Sequence, residues 1–531
     1  MTDKGWRPSW VDWLLVAAVG LLVQGFWAVQ LRQPTYMDAY YYTTNGQQLA
    51  MGAGFEEMII WQFLDNPEGV PTPSHTYWMP LTSIIVSIGY RLTGTFGGAQ
   101  LPFWLMGGLL PLLAFAISWQ LAGLRWQAWV AALFTAAGSF YAAFLSQPST
   151  FAPFAWVGGG FLLVIALIHR EVLPFWKGST SAKYWLLAGI LAGLAHLTRA
   201  DGMVVLFLGL LFLGWQIWRR RSTEMVRTSA PLVALLLGGY LLVIGWWFVH
   251  SWQVTGRPLS TVGTQSMFLT NYDDLFAYGR SFDLAGYLDW GLGNIVRSKV
   301  YGLWLGVQSL LVVSGMVFLA PFIIAGWVGA YRDLENREFL RPFTLYTLIV
   351  FLVLTLVFTF PGERGSIFHS SIAIWPWMAA LAAFGIGLAV DWVASKLPHW
   401  QPERAKRLFS ALFIIIAFVV SLVIGLARLV PDPSIETYER IAADIPTDTK
   451  VMVGIAPAFY YHTNIAAVSV PNEPIETVLE AAERYDVTYL ILDQNHPAPL
   501  HDIFTGVEQR PRVQLVETYS GDVRLYQLLV D

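Results

Sequence analysis

Apolar runs long enough to cross a bilayer recur from residue 11 to residue 428, separated by polar turns. In lipid a run of about 20 residues satisfies its backbone hydrogen bonds internally only as a helix. The pattern predicts transmembrane helices over roughly 11–31, 79–95, 101–122, 126–146, 149–169, 183–198, 202–218, 231–250, 301–327, 342–360, 370–390 and 407–428. Two stretches, 32–78 and 251–300, are too polar to span and carry the aromatic, Gly- and Pro-rich sequence of ordered surface loops. Within the first, Glu56–Leu64 (EEMIIWQFL) predicts a short interfacial helix. After Leu429 the pattern changes. Pro431-Asp432-Pro433 opens a segment with a helix from Glu436, a strand Lys450–Gly454, a helix Glu476–Tyr485, a buried strand Thr488–Leu492 and a final strand Arg524–Val530. The expected organisation is a polytopic α-helical membrane domain, 1–430, followed by a small extracytoplasmic α/β domain, 431–531.

Composition supports lipid as the solvent: 55% of the 531 residues are hydrophobic and only 13% charged, with a mean hydropathy of +0.51. A net charge of −4 excludes the electrostatic footprint of nucleic-acid binding. The absence of cysteine excludes disulfides. The first apolar run has no small-residue cleavage site before Gln30, which predicts an uncleaved signal anchor and a cytoplasmic N-terminus. Basic loops containing Arg219, Arg220, Arg221 and Arg227, then Arg332, Arg337 and Arg341, then Lys396, Arg404, Lys406 and Arg407, are assigned to the cytoplasm. The acidic loop 32–78, the loop 251–300 and the tail then share the outer face. That assignment needs an even number of spans between the two loops, whereas the pattern offers an odd number. The pair 126–146 and 149–169, joined at Gln147-Pro148-Ser149, is the place expected to be broken or re-entrant, for about eleven to thirteen spans in total.

Four polar clusters sit where outward turns are expected. Asp38 and Tyr40 lie just past the first span in Pro34-Thr35-Tyr36-Met37-Asp38-Ala39-Tyr40, where a carboxylate meets both a lipid headgroup and an incoming acceptor. A solvated Asp, or an N-cap of the helix starting near Ala39, would look the same. His75 stands in the Pro-rich return Pro71 to Leu81, able to donate to a phosphate oxygen or to orient a carboxylate. Tyr77 and Trp78 beside it read as interface anchors. Arg199 and Asp201 occupy the turn His196–Gly202, which a helix-end ion pair also explains. Arg364 and His369 fall in Pro361–Ser371, small residues at a helix start that form an anion site or, more simply, a Glu363–Arg364 surface pair. Arg257, after the 231–250 span, is a further phosphate candidate. There is no Walker loop, hydrolase elbow or metal-ligand spacing, and Asp38-x-Tyr40 is not an Asp-x-Asp metal site.

Taken together, the acidic residue past the first span, the return at His75–Leu81, the Leu197-Thr198-Arg199 turn, the Arg364 loop and the tail domain resemble the GT-C superfamily of polyprenyl-phosphate-sugar-dependent glycosyltransferases. The resemblance is to the branch with protein O-mannosyltransferases and the lipid A aminoarabinose transferase. It implies a metal-independent transfer of mannose or a similar hexose from a polyprenyl-phosphate carrier to an extracytoplasmic hydroxyl of a protein, glycan or lipid. It makes Asp38 the base; the leaving phosphate itself calls for cations, so Arg364, helped by Arg257, His369 or His75, would hold it, with Arg199 and Tyr40 as further donor-site candidates. Two departures bear on sugar and acceptor: Ala39 follows Asp38 where that branch often has Asp-Glu, and Ser74-His75-Thr76 replaces His-Pro-Pro. A transporter or lipid-sugar flippase is the rival reading, although such proteins place ionisable groups at mid-membrane between related halves. An inactive assembly factor or receptor is a third.

Overall fold

The computed structural model describes residues 6–169, 179–220, 223–397, 399–429 and 435–529. Arg221 and Pro431-Asp432-Pro433 lie outside the described residues. Eight helices are long and apolar enough to cross a bilayer among those residues: Trp10–Gln30, Phe96–Ala122, Phe151–Ile168, Ala200–Trp218, Ser229–Thr255, Leu334–Val357, Thr359–Ala394 and Pro402–Ala427. Leu81–Thr93 and Ala320–Ala330 are shorter apolar helices. In chain order the first nine helices are α1 (Trp10–Gln30), α2 (Met37–Met51), α3 (Leu81–Thr93), α4 (Phe96–Ala122), α5 (Arg125–Ala137), α6 (Phe151–His169), α7 (Ser179–Thr198), α8 (Met203–Arg220) and α9 (Thr223–Thr255).

Two expected spans are interrupted. The run 126–146 forms only α5, which stops at Gly138 with φ +79°, and then breaks into 3-10 turns at Ser139–Tyr141 and Phe144–Ser146. The buried Ser139 backbone N–H is met there by the Ser421 hydroxyl at 2.9 Å, so that donor stays paired at the break. The run 301–327 divides as well. A helix over Leu292–Gln308 widens into a π-helical turn at Ser309–Ser314, reverses at Met316 and Val317, both with positive φ, and resumes at Ala320.

Small residues set a close helix crossing. Gly326 in Ala320–Ala330 meets Gly385 in Trp375–Ala394 so tightly that a Cβ on Gly326 would lie 2.1 Å from the Leu381 carbonyl oxygen. On Gly385 it would lie 1.9 Å from that of Phe322. Such backbone approach is how helices associate where no hydrophobic effect separates them from lipid. Gly385→Ala is expected to lower stability by about 1–3 kcal/mol, read as a lower thermal midpoint in detergent. An unchanged midpoint would show that the helices separate freely.

The tail is an α/β domain built on a six-stranded sheet ordered β2-β5-β4-β6-β8-β7, in which β2 (Ile59–Ile60) comes from the first polar loop. The others are β4 (Val451–Val453), β5 (Ala467–Ser469), β6 (Tyr489–Leu492), β7 (Val513–Tyr519) and β8 (Val523–Leu528). The expected strands at 450–454, 488–492 and 524–530 thus appear within a residue or two. The segment expected to be an interfacial helix, Glu56–Leu64, is extended instead. Ile59 and Ile60 run parallel to Ala467 and Val468, while β1 (Glu56–Glu57) pairs antiparallel with β3 (Thr72–Pro73). Adjacent residues of a strand point to opposite faces, so β4 divides its side chains between two cores. Met452 joins Val468, Leu490 and Val478 on one face. Val451 and Val453 join Phe459, Ile441 and the tyrosines 40, 41 and 42 of α2 on the other. The sheet therefore clamps α2 from above, and α2 carries Asp38.

Candidate active site

Asp38 lies in the first turn of α2, where a negative charge is favoured by the free N–H groups of the helix start. The helix begins after Tyr36 without a side-chain cap, so Asp38 is not the capping residue that the sequence also allowed. Its carboxylate is 23% exposed, and Oδ2 is 3.8 Å from Nε2 of His369. Burial raises the Asp38 carboxyl to about 6, while the positive field of Arg199 works against that rise.

Arg199 stands between α7 and α8 with its guanidinium 14% exposed. Nε donates to Asp201 Oδ1 at 2.8 Å, and the plane lies over the Phe154 ring, 5.8 Å from its centroid. Asp201 in turn accepts from the buried Ser370 hydroxyl on its second oxygen. The residue before Ser370 is His369, whose ring stacks on Phe151 at 4.1 Å between centroids and whose Nδ1 is 3.0 Å from the Thr150 hydroxyl. Four separate segments therefore meet around one carboxylate and one guanidinium: the start of α2, the α7–α8 turn, the start of α6 and the helix Ile367–Ser371.

An aromatic wall continues from this centre. Tyr42 is one turn along α2 from Asp38 and feels the charges of Asp38, Arg199 and Asp201. Tyr77 is coupled to the same three residues, and Tyr272 to Asp38. Arg364 covers the Tyr272 ring at 4.4 Å and reaches Asp273 at 3.4 Å, with 58% of its side chain exposed. It forms the outer rim of the arrangement, and Arg199 its buried cation.

Three candidates from the sequence lie elsewhere. His75 is buried with φ +62°; Nδ1 is 2.8 Å from the Ser74 hydroxyl, Nε2 is 2.9 Å from that of Ser83, and its backbone N–H donates to Tyr41. Burial pulls it down to about 3, so it is a neutral peg that pins the loop onto α3. Tyr40 faces the tail, 3.4 Å from His462 and edge-on to Tyr461. Arg257 is exposed beyond α9, and its carbonyl accepts from Ser251 and Thr255, which closes that helix. The expected interface anchor Trp78 is stacked flat on Trp61 at 4.0 Å, inside the loop rather than against lipid.

Sequence reasoning left Thr150, Ser370, Tyr42 and Tyr272 unassigned. Only Tyr42 carried a signal, its spacing of one helical turn from Asp38. Thr150 and Ser370 reach the site through folding alone, the first by its contact with His369 and the second by its bond to Asp201.

No family model and no curated protein matches the chain. Solved structures do. ArnT from Cupriavidus metallidurans in the apo state superposes with a TM-score of 0.59 at 13% identity, covering 97% of this chain and 97% of that one. The same protein bound to undecaprenyl phosphate gives 0.56 at 14% identity, covering 98% of each. The archaeal oligosaccharyltransferase AglB from Archaeoglobus fulgidus, in complex with an inhibitory peptide and a dolichol-phosphate, gives 0.52 at 12% identity, covering 91% of this chain and 70% of that one. The fold is GT-C-like over nearly the whole chain, tail domain included.

Proposed function

We propose that the protein is a membrane glycosyltransferase that moves a sugar, mannose or a similar hexose, from a polyprenyl-phosphate carrier to a hydroxyl of a protein, glycan or lipid acceptor. The observation that carries the reading is a carboxyl poised near neutrality, Asp38, in the field of a buried guanidinium, Arg199, in a fold solved elsewhere with undecaprenyl phosphate bound. Such a donor already holds a good leaving group. Transfer needs a base for the acceptor proton and positive charge for the departing phosphate.

Asp38 takes the acceptor proton as the acceptor oxygen attacks the anomeric carbon. The bond from that carbon to the phosphate oxygen breaks with its electron pair on the phosphate. Arg199 offsets the growing charge, and Arg364 at the rim meets the phosphate as it arrives. One activated acceptor and no covalent sugar–enzyme bond give inversion. With guanidinium groups in the role of the cation, the reaction requires no metal. In this reading the N-terminus is cytoplasmic in the plasma membrane, the domain 431–531 is extracytoplasmic, and the segment 1–430 lends it β2.

The test is incubation of purified protein with labelled polyprenyl-phosphate sugars and hydroxyl acceptors. Loss of sugar from the carrier with appearance of the opposite anomer in product is expected. Carrier movement across a vesicle without cleavage would replace the enzyme by a flippase.

A further inference from the structure

Nε2 of His369 lies 3.8 Å from the proposed base, and the ring is held from three sides. Phe151 stacks on one face, 4.1 Å between centroids and 20° from parallel. Nδ1 is 3.0 Å from the hydroxyl of Thr150, itself 2% exposed. Nε2 points at Asp38 Oδ2. A carboxylate only accepts hydrogen bonds, so the tautomer that can serve it carries the ring proton on Nε2, the nitrogen 3.8 Å away. In that tautomer Nδ1 keeps a lone pair, which the Thr150 hydroxyl at 3.0 Å can donate to. Thr150, the residue before α6, is thus placed to select the tautomer of the imidazole.

We propose that Thr150 and His369 are positioning residues for the base. Thr150 Oγ–H holds His369 with Nε2–H directed at Asp38 Oδ2, which leaves Oδ1 of Asp38 to take the acceptor proton. This rests on the assignment of Asp38 as base. The distance of 3.8 Å is beyond a hydrogen bond, and catalytic contacts of this kind shorten when substrate fills the site. His369 is then no donor ligand: the phosphate belongs to the two arginines.

Thr150→Val keeps the shape and removes the donor, whereas Thr150→Ser keeps the donor. Steady-state transfer by each variant, with donor and acceptor varied, separates the roles. The valine variant is expected to lose roughly 10- to 100-fold in kcat with the donor KM within about twofold, as for a misplaced catalytic group. The serine variant should stay within about threefold of the parent. Equal losses for Val and Ser, or a Val variant with unchanged kcat, would overturn the relay. A second pair guards against misfolding: His369→Gln can still present an N–H to Asp38, and His369→Leu cannot, so Gln must retain more kcat than Leu. A rise in donor KM at constant kcat in the His369 variants would instead make His369 a phosphate ligand. Full activity of Asp38→Asn would remove the base assignment itself, an outcome independent of how Thr150 behaves.

Discussion

Asp38→Asn abolishes transfer and leaves binding of the lipid-linked sugar largely intact. Asparagine fills the same volume and keeps the helix start, but its amide does not accept the acceptor's proton. Loss of a positioned general base costs about 10²- to 10⁴-fold, and the Asp201 carboxylate is not free to substitute, because it is already held by Arg199 and Ser370. The wild-type rate is expected to follow the ionisation of Asp38. With its carboxyl raised to about 6 by burial, the protein has its base deprotonated above that pH and protonated below it. The rate should thus fall on the acid side through about pH 6, well above the ordinary aspartate range. A pH profile flat from 5 to 8 under chemistry-limited conditions, or wild-type turnover by the Asn variant, contradicts the assignment.

Arg199→Gln is expected to have the next largest effect, with two separable parts. Catalysis loses the buried cation, a drop of roughly 100- to 1,000-fold in kcat/KM by analogy with removal of one transition-state donor. Stability falls too, because Asp201, 16% exposed, is left without its partner; breaking a buried pair costs about 3–5 kcal/mol. The double variant Arg199→Gln with Asp201→Asn separates the two parts. It removes the uncompensated charge, so the thermal midpoint should recover toward the parent, while transfer stays as low as in the single variant. Recovery of both would make the pair a structural fastener of the α7–α8 turn, the reading that its spacing in sequence first allows.

The site was legible in part, and the reason is locality. Asp38 could be found because it follows directly on an apolar run, and Arg199 with Asp201 because they share one turn. His75 could not be assigned from sequence. Its neighbours Ser74 and Thr76 say nothing of Ser83, which takes its second ring nitrogen only after α3 has packed back against the loop. Tyr40 and Tyr42 differ by two positions in one Tyr-rich run, yet the helix sets Tyr40 beside His462 of the tail and Tyr42 beside Trp78 of the loop.

Hydrophobic periodicity by itself determined the membrane-spanning helical class, the change of grammar after Leu429 and most strands of the tail, because these follow from how each segment meets its own solvent. Only the tertiary structure decided that Glu56–Leu64 is extended, since the strand that pairs with Ile59 and Ile60 lies at Ala467 and Val468. It alone decided that Thr150, Arg199, Ser370 and His369 converge on Asp38. Contacts between distant segments depend on which helices pack side by side, and a one-dimensional pattern of apolar positions records that each helix has neighbours without recording which ones.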